Sequence, residues 1–357
     1  MGLTILPKKF YDALDVQNAL LASIASKQDG GITIKSWEDV QRINRMGLGE
    51  KLFVPGDQFV AEYNSIPIVF NIIGINHDIP TDPRFKYSIT IQPQDCLQNA
   101  QFSNYQALYY AEEGLPSGEH VFTLNNLQYK FTTEEIVPAG GIVYIATWGT
   151  ETYEPAKITT YDADRRTVIE SGLDVIAIES EADTLTPVQH HGRCRYGSNN
   201  YVESAIRQWL NDDTDNFIWE PKTNYDRPST YTTEGFLKLL DPELVAVLGA
   251  VNKQVARNTI TDNGGQDTFS DKVFLLSKVE AGLGTEGITT GERVYSYYDG
   301  ISNAGRIKLL NDSPRSWWLR SPYVGNSNRV RRVYTSGAIG DSSSYDAYGL
   351  APACVII

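Results

Sequence analysis

The chain has 357 residues, enough for two or three domains, and its 41% hydrophobic and 11% aromatic content is typical of a globular rather than a disordered protein. A formal net charge of −13 argues against a nucleic-acid partner. No segment has the roughly 20 apolar residues of a membrane span, and three distant cysteines (96, 194 and 354) argue against a disulfide framework.

The first 49 residues predict two short helices. Apolar residues recur at helical spacing over residues 10–27, and a second helix fits 37–46, with Ser36 as its N-cap and Asp39 at the third helical position. We interpret residues 1–49 as a helical arm that docks on a neighbouring subunit; an arm that packs on its own chain is the alternative. The N-terminus lacks the pattern of a signal peptide, so we expect a protein that is made and kept in the cytoplasm, or that leaves it by assembly into a particle.

Strand patterns follow in residues 50–112. β-Branched runs over 51–59, 66–78 and 87–92 are broken by proline, glycine and aspartate, which predicts β-hairpins.

Residues 113–187 predict a separate group of strands. Short apolar runs at 121–124, 128–132, 141–146 and 157–161 are spaced roughly ten residues apart, which favours a small β-sandwich or a curled sheet. We interpret this segment as an insertion, because added surface loops cost little closure entropy.

Helices and buried strands alternate in residues 188–357. Helices are expected at 201–210, 233–240 and 242–248, the last with Asp241 as N-cap, and a buried strand at 273–277. Trp317-Trp318-Leu319 then predicts a strand with large side chains on both faces, ending at Pro322.

The tract from Tyr323 to Tyr348 has the composition of a binding surface. Tyrosine supplies contact area at low entropic cost, while serine, glycine and asparagine adapt their hydrogen bonds, and Tyr and Arg often dominate interfaces. A hydrated loop between core strands is the alternative interpretation. The candidate ligand-binding residues are Tyr323, Asn326, Asn328, Arg329, Arg331, Tyr334, Ser343, Tyr345, Asp346 and Tyr348.

Three motifs occur in the order of a known family. They are Ala205–Asn211, Val273–Glu280 and the Trp317–Pro322 hexapeptide, and together they resemble the "WWLRSP" (DUF6273-like) domain of phages, prophages and gut bacteria. The resemblance implies a C-type-lectin-like fold, related to formylglycine-generating enzymes and to the variable proteins of diversity-generating retroelements. The expected fold is therefore α+β and β-rich: a lectin-like domain formed by 50–112 and 188–357, with a β-sandwich-like insertion at 113–187 and the helical arm. The family's closing Gly-Val-Arg-Pro-Ala reads Gly-Leu-Ala-Pro-Ala at 349–353, so any role of that arginine is not carried over.

The other motifs give little indication of catalysis, cofactor binding or metal binding. Gly282-x-Gly284-x-x-Gly287 lacks the following helix of a dinucleotide site, and His190, His191 and Cys194 have too few partners for zinc. The acidic 211–216 stretch is interpreted as a solvated helix end, and Cys354 as packed and inert. We expect no catalytic residue, no metal and no cofactor, and we assign Arg306 and Arg320 to bracing the fold.

These features favour a phage virion protein, attached to the capsid or tail, whose lectin-like domain binds a host surface protein or glycan. Other virion proteins would be bound through the arm, and the resemblance suggests a homo-oligomer, with a trimer as the guess. A purely structural decoration protein is the second hypothesis, and an enzyme of the formylglycine-generating type is the third. Diversification of the C-terminal tract by a retroelement is a further hypothesis.

Overall fold

The computed structural model describes residues 36–103, 198–217, 230–259, 264–287, 291–326 and 328–357, with short pieces and strands in the remaining segments. In these residues the chain is mostly sheet with few and short helices, as expected of a β-rich fold. No helix in the described part is long and apolar enough to cross a membrane.

The first of two five-stranded sheets, here called the core sheet, joins distant parts of the chain. Its strands in spatial order are β16-β23-β6-β5-β4, all antiparallel neighbours. Their bounds are Gln58–Tyr63 (β4), Ile66–Ile75 (β5), Ile89–Pro93 (β6), Val273–Phe274 (β16) and Ala353–Ile356 (β23). The predicted hairpin is confirmed: Asn64 and Ser65 both have positive φ and link β4 to β5, the turn geometry that suits twisted antiparallel strands.

The second five-stranded sheet, the C-terminal sheet, carries the tryptophan strand at its centre. Its order is β21-β20-β19-β22-β7. The bounds are Asn99–Gln101 (β7), Trp317–Pro322 (β19), Arg329–Val333 (β20), Ile339–Ser343 (β21) and Ala347–Gly349 (β22). Trp317 and Trp318 are fully buried, and their indole nitrogens donate to the carbonyls of Arg306 and Ala100. The two rings thus bury apolar surface while keeping their N–H groups satisfied.

The strands predicted between 113 and 187 are present in one six-stranded sheet. Its order is β8-β11-β13-β12-β10-β9, with both parallel and antiparallel pairs. The bounds are Ala107–Ala111 (β8), Gly118–Leu124 (β9), Leu127–Thr133 (β10), Gly141–Ile145 (β11), Ala156–Asp162 (β12) and Arg166–Ile169 (β13). Strand β8 pairs with β11, so residues 107–111 join this sheet and not the core sheet, although the sequence assigned them to the preceding segment.

The N-terminal segment differs from the predicted pair of helices. A small sheet in the order β1-β3-β2 joins Leu3–Ile5, Gly31–Ile34 and Ser26–Gln28. Most of the predicted 10–27 helix lies outside the described residues, and its last two positions fall in β2. The second helix is confirmed as α1 (Trp37–Arg45), where the Ser36 side chain accepts a hydrogen bond from the Asp39 amide.

Helix α1 packs on its own chain. Trp37, Val40 and Ile43 are buried in the core, and the Asn44 side chain donates to the carbonyls of Tyr87 and Ile356. The described part of the arm therefore follows the alternative in which it belongs to the body of the protein.

The remaining helices in the described residues are short, and the sequence predicted a cap for the last of them. They are α2 (Gly49–Leu52), α3 (Ala205–Leu210), α4 (Phe236–Leu239) and α5 (Pro242–Val247). Asp241 caps α5 by accepting from the Glu243 amide, with proline at the first helical turn. Two hairpins complete the elements, β14 (Val251–Ala256) with β15 (Gln266–Asp271) and β17 (Lys308–Leu310) with β18 (Ser313–Arg315), together with a 3₁₀ turn at Asn303–Arg306.

Candidate functional site

The predicted binding tract forms an arginine-rich hairpin at the edge of the C-terminal sheet. Strand β20 alternates so that Arg329 and Arg331 share one face with Asp341 of the neighbouring edge strand β21. The Arg329 guanidinium lies 2.7 Å from an Asp341 oxygen, and its side chain remains 48% exposed. This register places the two arginines on one face, as the sequence predicts, although only Arg329 is largely exposed there.

Arg331 is held more firmly on the same face. It contacts both carboxylate oxygens of Glu286, at 2.7 and 2.9 Å, and its guanidinium lies 4.3 Å from the centre of the Tyr323 ring. The Lys278 ammonium also contacts Glu286, at 3.0 Å from its Oε1 atom. Paired and stacked arginine of this kind is oriented rather than free to move.

The opposite face of the hairpin carries a second arginine stack. Arg332 lies between two tyrosine rings, 3.8 Å from the centre of Tyr348 and 4.6 Å from that of Tyr334. Tyr348 in turn meets Trp318 edge-on, with ring centres 5.0 Å apart. Tyr334 is 39% exposed, so this stack runs from the buried tryptophan to the protein surface. We call strands β20 and β21 with Tyr323, Tyr334 and Tyr348 the arginine–tyrosine hairpin.

The other predicted ligand residues occupy varied positions. Asn326 and Asn328 are buried, and the Asn326 side-chain oxygen accepts from the Asn328 and Arg329 amides, so it shapes the turn before β20. Ser343, Tyr345 and Asp346 are half-buried beside the end of β21. Burial raises the pKa of Asp346, and the nearby Arg332 charge opposes that shift.

A second group of charged side chains, which sequence reasoning did not bring together, lies inside the protein. We call it the buried charge cluster; its members are Asp78, Lys253, Glu280, Glu292 and Arg320. Arg320 is fully buried and donates to both Glu280 oxygens, to Glu292 and to the carbonyls of Gln254 and Leu275. The bracing role expected for Arg320 is confirmed, and so is that of Arg306, which donates to the Ala281 and Gly282 carbonyls.

Lys253 forms the other half of this cluster. Its ammonium contacts Glu280, lies 2.7 Å from Asp78 Oδ1 and lies 3.2 Å from the Tyr295 hydroxyl. Burial raises the pKa of Glu280, but the charges of Arg320 and Lys253 outweigh burial and hold this pKa well below its ordinary value. The cluster therefore contains ionised groups whose hydrogen bonds are made internally.

A cavity of about 360 Å³ opens beside the cluster, lined by residues that include His77, Asp78, Lys253 and Arg293. Possible metal-ligand atoms of His77, Asp78 and Glu280 lie within 4.8 Å of one another. The Lys253 ammonium already contacts both carboxylates, so a cation of the protein itself occupies the place that a metal would take. Burial also lowers the pKa of His77, whose ring stacks on Tyr295 at 4.0 Å.

The remaining sequence candidates contribute no site in the described residues. The glycines at 282, 284 and 287 lie in a loop with positive φ, as predicted. Asn211 ends helix α3, and Asp213 and Asp215 beyond it are exposed. Cys354 is buried, and burial raises the pKa of its thiol and raises that of Cys96 to about 12, so both thiols favour the protonated form. His190, His191 and Cys194 lie outside the described residues.

The buried charge cluster had only a partial sequence signal. Lys253 and Asp78 are 175 positions apart along the chain, and the sequence around either residue does not indicate that the two are in contact. Two hints were available: Lys253 alternates with Val251 and Val255 along strand β14, and a Ser-x-x-Glu turn lies at 277–280, where Ser277 and Glu280 cap each other.

Comparison with known proteins identifies the family of the C-terminal half. Residues 177–357, just over half of the chain, match the family described as "Domain of unknown function (DUF6273)". No curated protein and no solved structure matches the chain significantly. The matched region contains the tryptophan strand, the arginine–tyrosine hairpin and four of the five residues of the buried charge cluster. The chain belongs to the DUF6273 family.

Proposed function

We propose that the protein is a non-catalytic binding protein of a phage virion that recognises a host surface protein or glycan through the arginine–tyrosine hairpin. The observation that carries the proposal is the stack of Arg332 between Tyr348 and the exposed Tyr334. Tyr334 is connected to the buried Trp318 through Arg332 and Tyr348. An aromatic side chain held in place in this way loses little entropy on binding, which is the property of residues that dominate interfaces.

The lectin-like fold and the attachment to a capsid or tail are parts of the same proposal. Two five-stranded sheets with short helices support the fold, and the C-terminal strand β23 closes the core sheet between β6 and β16. Assembly into a homo-oligomer and binding of other virion proteins through residues 1–49 complete the hypothesis. The virion location rests on the family resemblance.

The test is binding of the purified protein to intact candidate host cells. A Tyr334→Ala/Arg329→Ala double variant removes two accessible side chains of the hairpin, whereas Tyr323 and Tyr348 are avoided because they pack against Arg331 and Trp318. The matched control is Tyr87→Ala/Arg84→Ala, since Tyr87 is 37% exposed and lies outside the hairpin. We expect the control to bind like the wild type and the hairpin variant to lose at least about tenfold in affinity, as when interface hot spots are truncated.

Undiminished binding by the hairpin variant would place recognition elsewhere, and an equal loss in both variants would show that the loss is not specific to the hairpin. An absence of binding by the wild type, while the protein still incorporates into particles, would favour a decoration protein that contacts only other virion subunits.

A further inference from the structure

The geometry of the buried charge cluster points to a covalent modification: we propose that Lys253 and Asp78 condense to an intramolecular isopeptide bond, with Glu280 as the proton-transfer group. The Lys253 nitrogen and Asp78 Oδ1 are 2.7 Å apart, and both side chains are at most 4% exposed. An amine held against a carboxyl group away from water has the proximity that lets an otherwise slow condensation proceed.

The second carboxylate supplies the proton relay. Glu280 contacts the Lys253 ammonium directly, so its carboxylate is placed to take a proton from the ammonium as the nitrogen lone pair attacks Asp78 Cγ. Glu280 passes that proton to the oxygen that leaves Asp78, and it relays a second proton from the same nitrogen once the C–N bond has formed. Its backbone is fixed by the reciprocal Ser277–Glu280 hydrogen bonds, which keep the carboxylate on the lysine.

The other oxygen of Asp78 is placed to carry developing negative charge. The hydroxyl groups of Thr90 and Tyr295 both donate to Asp78 Oδ2, at 2.5 and 2.7 Å. Two preformed donors at a carbonyl oxygen stabilise a tetrahedral intermediate in the way an oxyanion hole does. Burial raises the pKa of Tyr295, so its hydroxyl stays a donor.

The reaction balances without any other reagent. A bond forms between Lys253 Nζ and Asp78 Cγ, and one Cγ–O bond breaks. The departing oxygen takes two of the three ammonium protons and leaves as water, while the positive and negative charges of the pair cancel. The neighbouring cavity gives that water a way out, and the Phe274 ring, 4.4 Å from the nitrogen, shields the product from hydrolysis.

The decisive measurement is the intact mass of the full chain under denaturing conditions. We expect the wild type to be lighter than its sequence by one water, about 18 Da. We also expect a tryptic digest to give one branched peptide that joins Asp78 to Lys253. A wild-type mass equal to the sequence mass overturns the proposal, and so does a water loss confined to a single peptide, which would indicate a cyclised aspartate.

Variants locate the reaction. Lys253→Arg keeps the positive charge and Asp78→Ala removes the acceptor, so both should restore the full sequence mass. Glu280→Gln should accumulate uncrosslinked protein, and full water loss in that variant would exclude Glu280 from the step. The matched control is Lys308→Arg: Lys308 is also buried but donates to the Pro93 and Gln94 carbonyls, so this variant should keep the mass deficit. The wild-type measurement alone decides the proposal if a variant fails to fold.

Discussion

The buried charge cluster and the arginine–tyrosine hairpin use the same side chains in different surroundings. In both, arginines contact carboxylates and aromatic rings. Arg320 in the cluster is fully buried, whereas Arg329 in the hairpin is 48% exposed. Solvent screens the second kind of pair, so burial and not the number of ion pairs decides how strongly each group contributes to folding.

A second difference lies in where the polar side chains are directed. The cluster's polar atoms are directed at one another from five separate stretches of chain. In the hairpin, Tyr334 and Arg329 are exposed to solvent, and each contacts a neighbouring side chain, Arg332 and Asp341 respectively. We infer that the first arrangement suits bracing and internal chemistry, and the second suits recognition.

The largest expected effect comes from breaking the cluster. Arg320→Ala leaves Glu280 and Glu292 without their main cation, and removing one partner of a buried pair costs about 3–5 kcal/mol. Urea denaturation at neutral pH would measure this loss in the free energy of unfolding. A loss below about 1 kcal/mol, which is the range of exposed pairs, would show that the buried pairs stabilise the fold no more than an exposed pair does.

The next effect tests how the hairpin is anchored. Gly337 has φ +78°, and a Cβ there would lie 1.7 Å from the Asn303 carbonyl oxygen. Gly337→Ala should therefore cost about 2–4 kcal/mol in unfolding free energy, from backbone strain and overpacking together. Gly300→Ala is the control, since Gly300 also has positive φ but no atom within 4 Å of the added Cβ; it should lose only about 1 kcal/mol.

Acid should weaken the fold through Glu280 of the cluster and not through Asp346, which lies just beyond the hairpin. The pKa of Glu280 is lower in the folded protein than its ordinary value of 4.5, so its stabilisation is complete above pH 4.5 and is lost as pH falls towards the folded pKa. Asp346 has a raised pKa, so its protonation does not destabilise the fold. Glu280→Gln should flatten the fall in unfolding free energy below pH 4.5, by about 1.4 kcal/mol per unit of pKa difference, whereas Asp346→Asn should not flatten it.

The smallest effect on stability is expected at the exposed pair. Arg329→Ala should change the unfolding free energy by less than about 1 kcal/mol, because the Arg329–Asp341 pair is solvated. Parallel denaturation curves at low and high salt would check that this small contribution is screened. A loss as large as that of Arg320→Ala would mean that the hairpin is a stabilising element rather than a surface for recognition.

Local signals in the sequence predicted local structure well. The Ser36 cap of α1 and the Asp241-Pro242 start of α5 depend on neighbouring residues, and both were found. The alternation of Arg329 and Arg331 gave their shared face. The buried charge cluster could not be predicted in this way, because its members are brought together by tertiary packing. Asn326 and Asn328 show a second limit of the sequence. Composition indicates that the tract is polar, but it does not indicate which asparagine side chains are buried.

The position of strand β23 constrains the order in which the protein can fold during synthesis. Residues 89–93 pair with residues 353–356, and the Ile356 carbonyl also accepts a hydrogen bond from Asn44 near the other end of the chain. The core sheet can therefore close only after the ribosome has translated through Ile356. Until then β6 exposes an unpaired, apolar edge, which is the kind of surface that chaperones shield.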